Sequence, residues 1–226
     1  MIVDKACFSF FRRCLFRGIV INNRQKISFS LTMPRQSNRF DITLESILRE
    51  YLRRKGVLES VERSWYPFKG QHAPFYSPVA DIAVGPFATQ QRLISRYDDL
   101  EQRVPELIND LKSCFRENYN QYGGHFSGTP TYPFTEFEGN ENARCFISIE
   151  IESKSPTRKH KMGSIVNAAA LGRIAIVIGL DEYSVKVLIR ILGYLKFLAS
   201  VNKPTFKANN AFILSKEQIL RILEGG

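Results

Sequence analysis

The sequence predicts an α/β protein in which helices cover a central mixed β-sheet. Three patterns favour this class: helically spaced apolar residues in 41–55, alternating apolar and polar residues in 145–154, and the apolar run "RIAIVIGL" between two helical segments. The predicted order is helix, strand, strand, insertion, strand, helix, strand, helix. Of the 226 residues, 44% are hydrophobic and 12% are aromatic, which is enough for one sizeable core.

The first 33 residues differ from the rest of the chain. They are basic and aromatic, and arginines interrupt their short apolar pieces, so they do not resemble a secretory signal. We interpret residues 1–33 as an N-terminal extension, either disordered or the product of a misassigned start, because Met33 directly precedes the polar lead into the first helix. Residues 34–226 are then the α/β domain.

Local signals predict the elements of this domain. Asp41 is the predicted N-cap of the first helix, and Gly56 ends it. The stretches "VERSWYPF" and "YSPVADIAVGP" predict two strands that are joined by a turn at "GQHAP". The remaining predicted elements are a strand from Cys145, a helix over 159–171 that ends at Gly172, the strand "RIAIVIGL", a helix over 183–200, a short strand, and a last helix capped by Ser215 with Gln218.

An insertion at about 87–144 separates the second strand from the third. Residues 88–117 have helical spacing, and Pro105 marks either a kink or the start of a second helix. Residues 118–143 are rich in Gly, Pro, Asn and aromatic residues, which predicts an irregular loop. Its aromatic side chains would stack on bases or, as we favour, fix the loop to the domain. They are Tyr119, Tyr122, Phe126, Tyr132, Phe134 and Phe137.

Composition narrows the classes of partner and compartment. The formal net charge of +10 favours a polyanionic partner, although a basic protein without such a partner is an equally weighted alternative. Four cysteines without a CxxC pair or nearby histidines predict free thiols in a reducing cytoplasm. Lys186, Arg190 and Lys196 interrupt the most apolar stretch, which suits a core helix and argues against a membrane span.

The strand "FISIEIESK" separates apolar from charged residues. Alternation places its isoleucines on one face and Glu150, Glu152 and Lys154 on the other. The charged face is either an ion-paired surface or a set of oxygen ligands for Mg²⁺ beside a lysine. Asp81 is a lone acid in the apolar strand "PVADIAVG", where aspartate is disfavoured. Such an acid is more often structural, but together with the acidic strand it favours the metal site.

These residues resemble the PD-(D/E)XK nuclease superfamily, which has the restriction-endonuclease-like fold. The likeness consists of an acid on one strand, Asp81 in "SPVADIAVGP", and an acid-x-lysine triplet on the next, in "EIESK", with a helix before and after them. It covers about 41–182 and is interrupted by the insertion. Proline does not directly precede the acid, since Pro78 lies three positions earlier.

The resemblance implies a metal-dependent nuclease that hydrolyses phosphodiester bonds in DNA with Mg²⁺ or Mn²⁺. Asp81 would hold the metal with Glu150, Glu152 or both, because the last two motif positions are filled either by Glu152 and Lys154 or by Glu150 and Glu152. Lys154 would position the attacking water or stabilise the phosphate oxygens. Glu45 matches an additional acidic position of the family, although pairing on its own helix is the better interpretation. A homodimer is also an option, because cutting both strands often needs two copies.

The segment "SKSPTRKHKMGS" adds a basic surface at a predicted helix N-terminus. Such cations are usually only solvated, but here they are also well placed to bind phosphates. The predicted nucleic-acid contacts are Arg158, Lys159, His160, Lys161 and Asn167. Two alternatives to a nuclease stay open: a catalytically inactive member of the same fold that binds nucleic acid, and an α/β protein without nucleic acid whose acidic strand is ion-paired.

Overall fold

A computed structural model describes residues 36–68, 77–89, 91–123, 137–203 and 206–225. The chain divides into two units between Met33 and Pro34. Every helix and strand described below lies in the second unit, Pro34–Gly226. Three sequence predictions fall outside the described residues. They are the extension over residues 1–33, the "GQHAP" turn and the middle of the loop over 118–143.

The described chain forms one mixed five-stranded sheet, which confirms the predicted fold class. Its strands are β1 Val61–Trp65, β2 Ala80–Val84, β3 Cys145–Glu152, β4 Gly172–Gly179 and β5 Ala211–Ser215. The spatial order of the strands follows their order in the chain. β2 is antiparallel to both β1 and β3, whereas β3, β4 and β5 run parallel to one another.

Six helices of the described chain flank this sheet. They are α1 Gln36–Arg54, α2 Ile94–Arg103, α3 Pro105–Tyr122, α4 Arg158–Leu171, α5 Glu182–Ser200 and α6 Lys216–Glu224. The prediction that Asp41 caps the first helix is wrong, because the helix already begins at Gln36. Phe40 is buried and lies one turn before Leu44, so the apolar face of the helix extends past the residue that suggested a cap.

The insertion contributes two helices, and Pro105 begins the second of them. The amide of Asn118 on α3 donates to the Ile213 carbonyl of β5 at 3.0 Å, so α3 covers the outer edge of the last strand. Phe137 stacks on Phe212 with ring centroids 5.3 Å apart. Tyr119 and Tyr122 also pack against the core, whereas the other predicted loop aromatics lie outside the described residues.

Smaller features of the fold agree with the local sequence signals. Ser215 and Gln218 form the predicted capping box at the start of α6. Cys114 and Cys145 are buried free thiols. None of the helices in the described ranges is long and apolar enough to cross a membrane.

The junction between α4 and β4 packs closely against β3. Gly172 follows α4 directly, and a Cβ atom there would lie 2.8 Å from the Ser148 side chain of β3, so only glycine allows this approach. β3 ends at Glu152, two residues before the predicted end of the strand. Thr157 then caps α4, since its hydroxyl accepts a hydrogen bond from the His160 amide.

Candidate functional site

The acidic residues meet where the pairing of β2 with β3 ends. The antiparallel register pairs Ile82 with Ile149, and its continuation by one residue places Asp81 opposite Glu150. Directly opposed residues point to the same face of a sheet. Asp81 Oδ2 also accepts a hydrogen bond of 2.7 Å from the Ile151 amide. Asp81 and Glu150, which the sequence connected only through the family resemblance, are therefore neighbours in the fold.

Burial makes this pair of carboxyl groups difficult to ionise. Only 8% of Glu150 is exposed, and burial, followed by the charges of Asp81 and Glu152, raises its pKa well above the ordinary value. Burial also raises the pKa of Asp81, against the opposing effect of the Ile151 hydrogen bond, and the Glu152 charge raises it further. Two such neighbours cannot both be charged at low cost unless a cation compensates them.

Glu150 Oε1 is buried and has no hydrogen-bond partner among the described residues. The Asn167 side chain on α4 interacts with the same carboxyl group and lowers its pKa, but the effects that raise it are larger. A buried oxygen without a partner costs free energy until some group binds it.

The residues fit a cation bound by two carboxylates, and they do not fit a site built from three. Within the described ranges, no group of three or more His, Cys, Asp or Glu side chains is arranged to hold a metal ion. Asp81 and Glu150 nevertheless offer hard oxygen ligands, and Mg²⁺ is commonly held by one or two carboxylates, with water and substrate phosphates as its other ligands.

Glu152, the third predicted metal ligand, is already engaged by α4. Ser164 Oγ donates a short hydrogen bond to its Oε1 atom, and His160 Nε2 lies 3.5 Å from the same oxygen. Lys161 Nζ lies 3.4 Å from Oε2. Since both oxygens of Glu152 have partners, its charge is compensated within the fold, in contrast to that of Glu150.

Lys161 does not lie on the surface where the sequence predicted a nucleic-acid contact. Its side chain is fully buried, and its ammonium donates to the Ser153 carbonyl as well as to Glu152. Ser184 Oγ is a third neighbour at 3.4 Å, and Asp181 accepts the hydrogen bond of that hydroxyl. The reason is helical periodicity, because Lys161 shares the inward face of α4 with Ser164 one turn later.

Lys154 does not join the acids, contrary to the strand alternation. The strand ends before it, and its exposed side chain places Nζ 5.9 Å from the centre of the Tyr183 ring. The lysine beside the acidic residues is Lys161, which comes from the following helix.

The remaining predicted contact residues divide between surface and site. Arg158, Lys159 and His160 are exposed in the first turn of α4, and His160 reaches back to Glu152. Asn167 is half-buried and belongs to the surroundings of Glu150. The predicted basic surface is thus the first turn of the helix, without Lys161 and Asn167.

Glu45 lies in a separate ion cluster. Its carboxylate accepts from Arg49 at 2.8 Å and from Arg63 of β1 at 2.6 Å. These contacts compensate its charge and leave it no part in the arrangement around Glu150.

The structure also shows a feature that the sequence did not indicate. The register of β1 with β2 places Ser64 opposite Asp81, and Ser64 has a φ of 47°. Residues other than glycine rarely adopt this left-handed conformation, and such outliers concentrate at functional sites. The backbone conformation depends on tertiary packing, so no local sequence signal could have revealed it.

No family model, curated protein or solved structure matches this chain. The arrangement of its own residues is therefore the basis for a functional proposal.

Proposed function

We propose that the chain is a metal-dependent nuclease that hydrolyses phosphodiester bonds in DNA, with Mg²⁺ or Mn²⁺ held by Asp81 and Glu150. The main support is the pairing of these two acids across β2 and β3, with both pKa values raised and one oxygen without a partner among the described residues. Such a pair destabilises the folded chain unless a cation binds it. Carboxylates with perturbed pKa values are typical of functional sites.

The neighbouring residues suit the hydrolytic step. When bound, the metal would lower the pKa of a water molecule and offset the charge of the scissile phosphate. Ser164 and Lys161 hold the Glu152 carboxylate in one orientation. Glu152 in turn orients His160, whose Nε2 atom lies 3.5 Å from Oε1, and this exposed imidazole would accept the proton of the attacking water and release it to solvent.

The basic surface supports DNA as the substrate. Lys154, Arg158 and Lys159 are exposed between the end of β3 and the first turn of α4. Cations at this position attract the phosphate backbone irrespective of base sequence. The first 33 residues contain six of the 32 Lys and Arg side chains and one of the 22 acids, so the rest of the chain is also basic.

Cleavage of plasmid DNA tests the proposal. We expect cleavage with Mg²⁺ and none with EDTA, and a rate that falls on the order of 10³-fold in Asp81→Asn and in Glu150→Gln, because each removes a charged ligand. Glu45→Gln is the matched control, since this acid lies in a separate ion cluster. Salt-sensitive DNA binding should persist in all three variants.

Each alternative to this proposal predicts a different result in the cleavage and DNA-binding assays. Cleavage that survives both site substitutions contradicts the assignment of the metal ligands. Salt-sensitive binding without cleavage in Mg²⁺ or Mn²⁺ indicates an inactive binding protein. No retention on DNA at low salt indicates a protein whose acidic strand has another use.

A further inference from the structure

Tyr183 is an exposed aromatic residue at the same end of the sheet as the acids. It is the second residue of α5, and 49% of it is exposed. The next residue, Ser184, is buried and contacts Lys161, which in turn contacts Glu152. The backbone closes the same corner, because the Leu180 amide donates to the Glu152 carbonyl at 2.8 Å. These contacts place the start of α5, which carries Tyr183, at the end of β3 where Glu152 lies.

Lys154 lies over this ring and is itself exposed. Its ammonium is 5.9 Å from the ring centre, a distance at which the electrons of the ring attract a cation. Arg158 and Lys159, exposed in the turn that follows, extend the positive charge. An aromatic ring beside cations is the combination with which proteins bind single-stranded nucleic acid, because bases stack on the ring and phosphates pair with the cations.

We propose that Tyr183 and Lys154 bind an unpaired nucleotide beside the scissile phosphate, so that single-stranded DNA or a duplex with unpaired bases is the preferred substrate. The inference rests on the proposed function, since it specifies which DNA structure the proposed nuclease site binds. Every base has a face for stacking, so this contact distinguishes unpaired from paired DNA without reading sequence. Inside a duplex, the neighbouring base pairs already cover both faces of each base.

Tyr194 provides a matched control on the same helix. It is 48% exposed, close to the value for Tyr183, and lies about 16 Å farther along the helix axis. If exposed tyrosines on α5 bound DNA without regard to position, both substitutions would have the same effect.

Fluorescence anisotropy in EDTA measures this contact without cleavage. The probes are a labelled oligodeoxynucleotide, the same sequence as a duplex, and a single strand of equal length in which abasic sites replace the bases. We expect Tyr183→Ala to weaken single-strand binding by roughly 5- to 100-fold, the range for the loss of one base–aromatic stack. Binding to the duplex and to the abasic strand should change much less. Tyr183→Phe and Tyr194→Ala should bind all three probes like the wild type.

Two results overturn the inference. One is an equal loss on the intact and the abasic single strands, since the ring would then act on the backbone alone. The other is unchanged single-strand binding in Tyr183→Ala. If the wild type nevertheless cleaves DNA with Mg²⁺, only the inference fails. If single-strand binding depends on Tyr183 but no metal supports cleavage, the nuclease proposal fails and this contact stands. If the wild type binds no DNA at low salt, both are overturned.

Discussion

Two groups of partly buried charge lie at opposite ends of the parallel strands β3 and β4. At the start of β4, Arg173 is 11% exposed and pairs with Asp98 at 2.7 Å and Glu101 at 2.8 Å, both on α2. At the end of β3, Glu150 faces another acid and has an oxygen without a partner among the described residues. Both groups lose hydration on folding, but of these two groups only the first contains a cation that pairs directly with its acids in the described part of the chain.

The difference separates an ion pair that stabilises the fold from an acidic pair that we propose to bind a cation. Arg173 joins α2 to the sheet, so its cost of burial is offset by contacts that the chain itself makes. Ile151, His160 and Asn167 compensate Asp81 and Glu150 only in part, since both pKa values stay raised, and the fold is less stable for keeping these acids. Retaining such an acidic pair is understandable if a ligand supplies the missing positive charge.

The Arg173 cluster should show the larger response to mutation. Arg173→Met removes the cation and leaves two carboxylates facing each other, so we expect a loss of about 2 kcal/mol in the free energy of unfolding, between the values for exposed and for fully buried pairs. Urea unfolding at neutral pH measures it. Arg96→Met, which breaks the more exposed pair with Glu59, should cost under about 1 kcal/mol. Equal losses in the two variants would show that Arg173 is no more important than a surface ion pair.

At the acidic end we expect a substitution to increase the free energy of unfolding. Glu150→Gln should stabilise the metal-free protein at pH 8 by about 1–2 kcal/mol, because glutamine keeps the shape of the side chain and has no ionisation that burial disfavours. The raised pKa of Glu150 means that its ionisation penalty is absent at low pH. The penalty grows as the pH rises from the ordinary value of 4.5 through the raised one. Urea unfolding in EDTA should therefore show a larger gain at pH 8 than at pH 4.5.

An exposed glutamate is the control for that prediction. A hydrogen bond from Arg53 lowers the pKa of Glu50, so its charged form is favoured in the fold. Glu50→Gln should give no stabilisation at pH 8. A Glu150→Gln protein that is less stable than the wild type, or a gain that does not depend on pH, would mean that the carboxylate has a compensating partner.

The sequence predicted the fold well because the relevant patterns are local and repetitive. Alternation in β3 and helical spacing in α4 and α5 need no tertiary information. Alternation also correctly placed Glu150 and Glu152 in the strand. It failed at Lys154, because the strand ends at Glu152 and Lys154 belongs to the turn segment "SKSP" that follows.

Other parts of the site needed the structure for different reasons. Lys161 could have been recognised, because it lies three, four and seven residues before Ser164, Ile165 and Ala168, the spacing of an inward helix face. The Ser64 conformation and the unpartnered Glu150 oxygen depend on which of the described strands are neighbours. Register across strands, which unites Asp81 with Glu150, is not contained in either segment alone.

The smallest predicted effect, stabilisation by Mg²⁺, decides whether the acidic end binds a cation. At roughly five times the dissociation constant, Mg²⁺ should stabilise the wild type by about 1 kcal/mol, since it binds only the folded state. A thermal melt with and without Mg²⁺ should show a rise of about 2–4 °C. Asp81→Asn and Glu150→Gln should not respond, because each removes a ligand charge. Arg173→Met should respond like the wild type, since its damage lies at the other end of the strands. A rise that persists in Glu150→Gln would place the cation elsewhere, and the burial of this acid would then have no ligand to offset its cost.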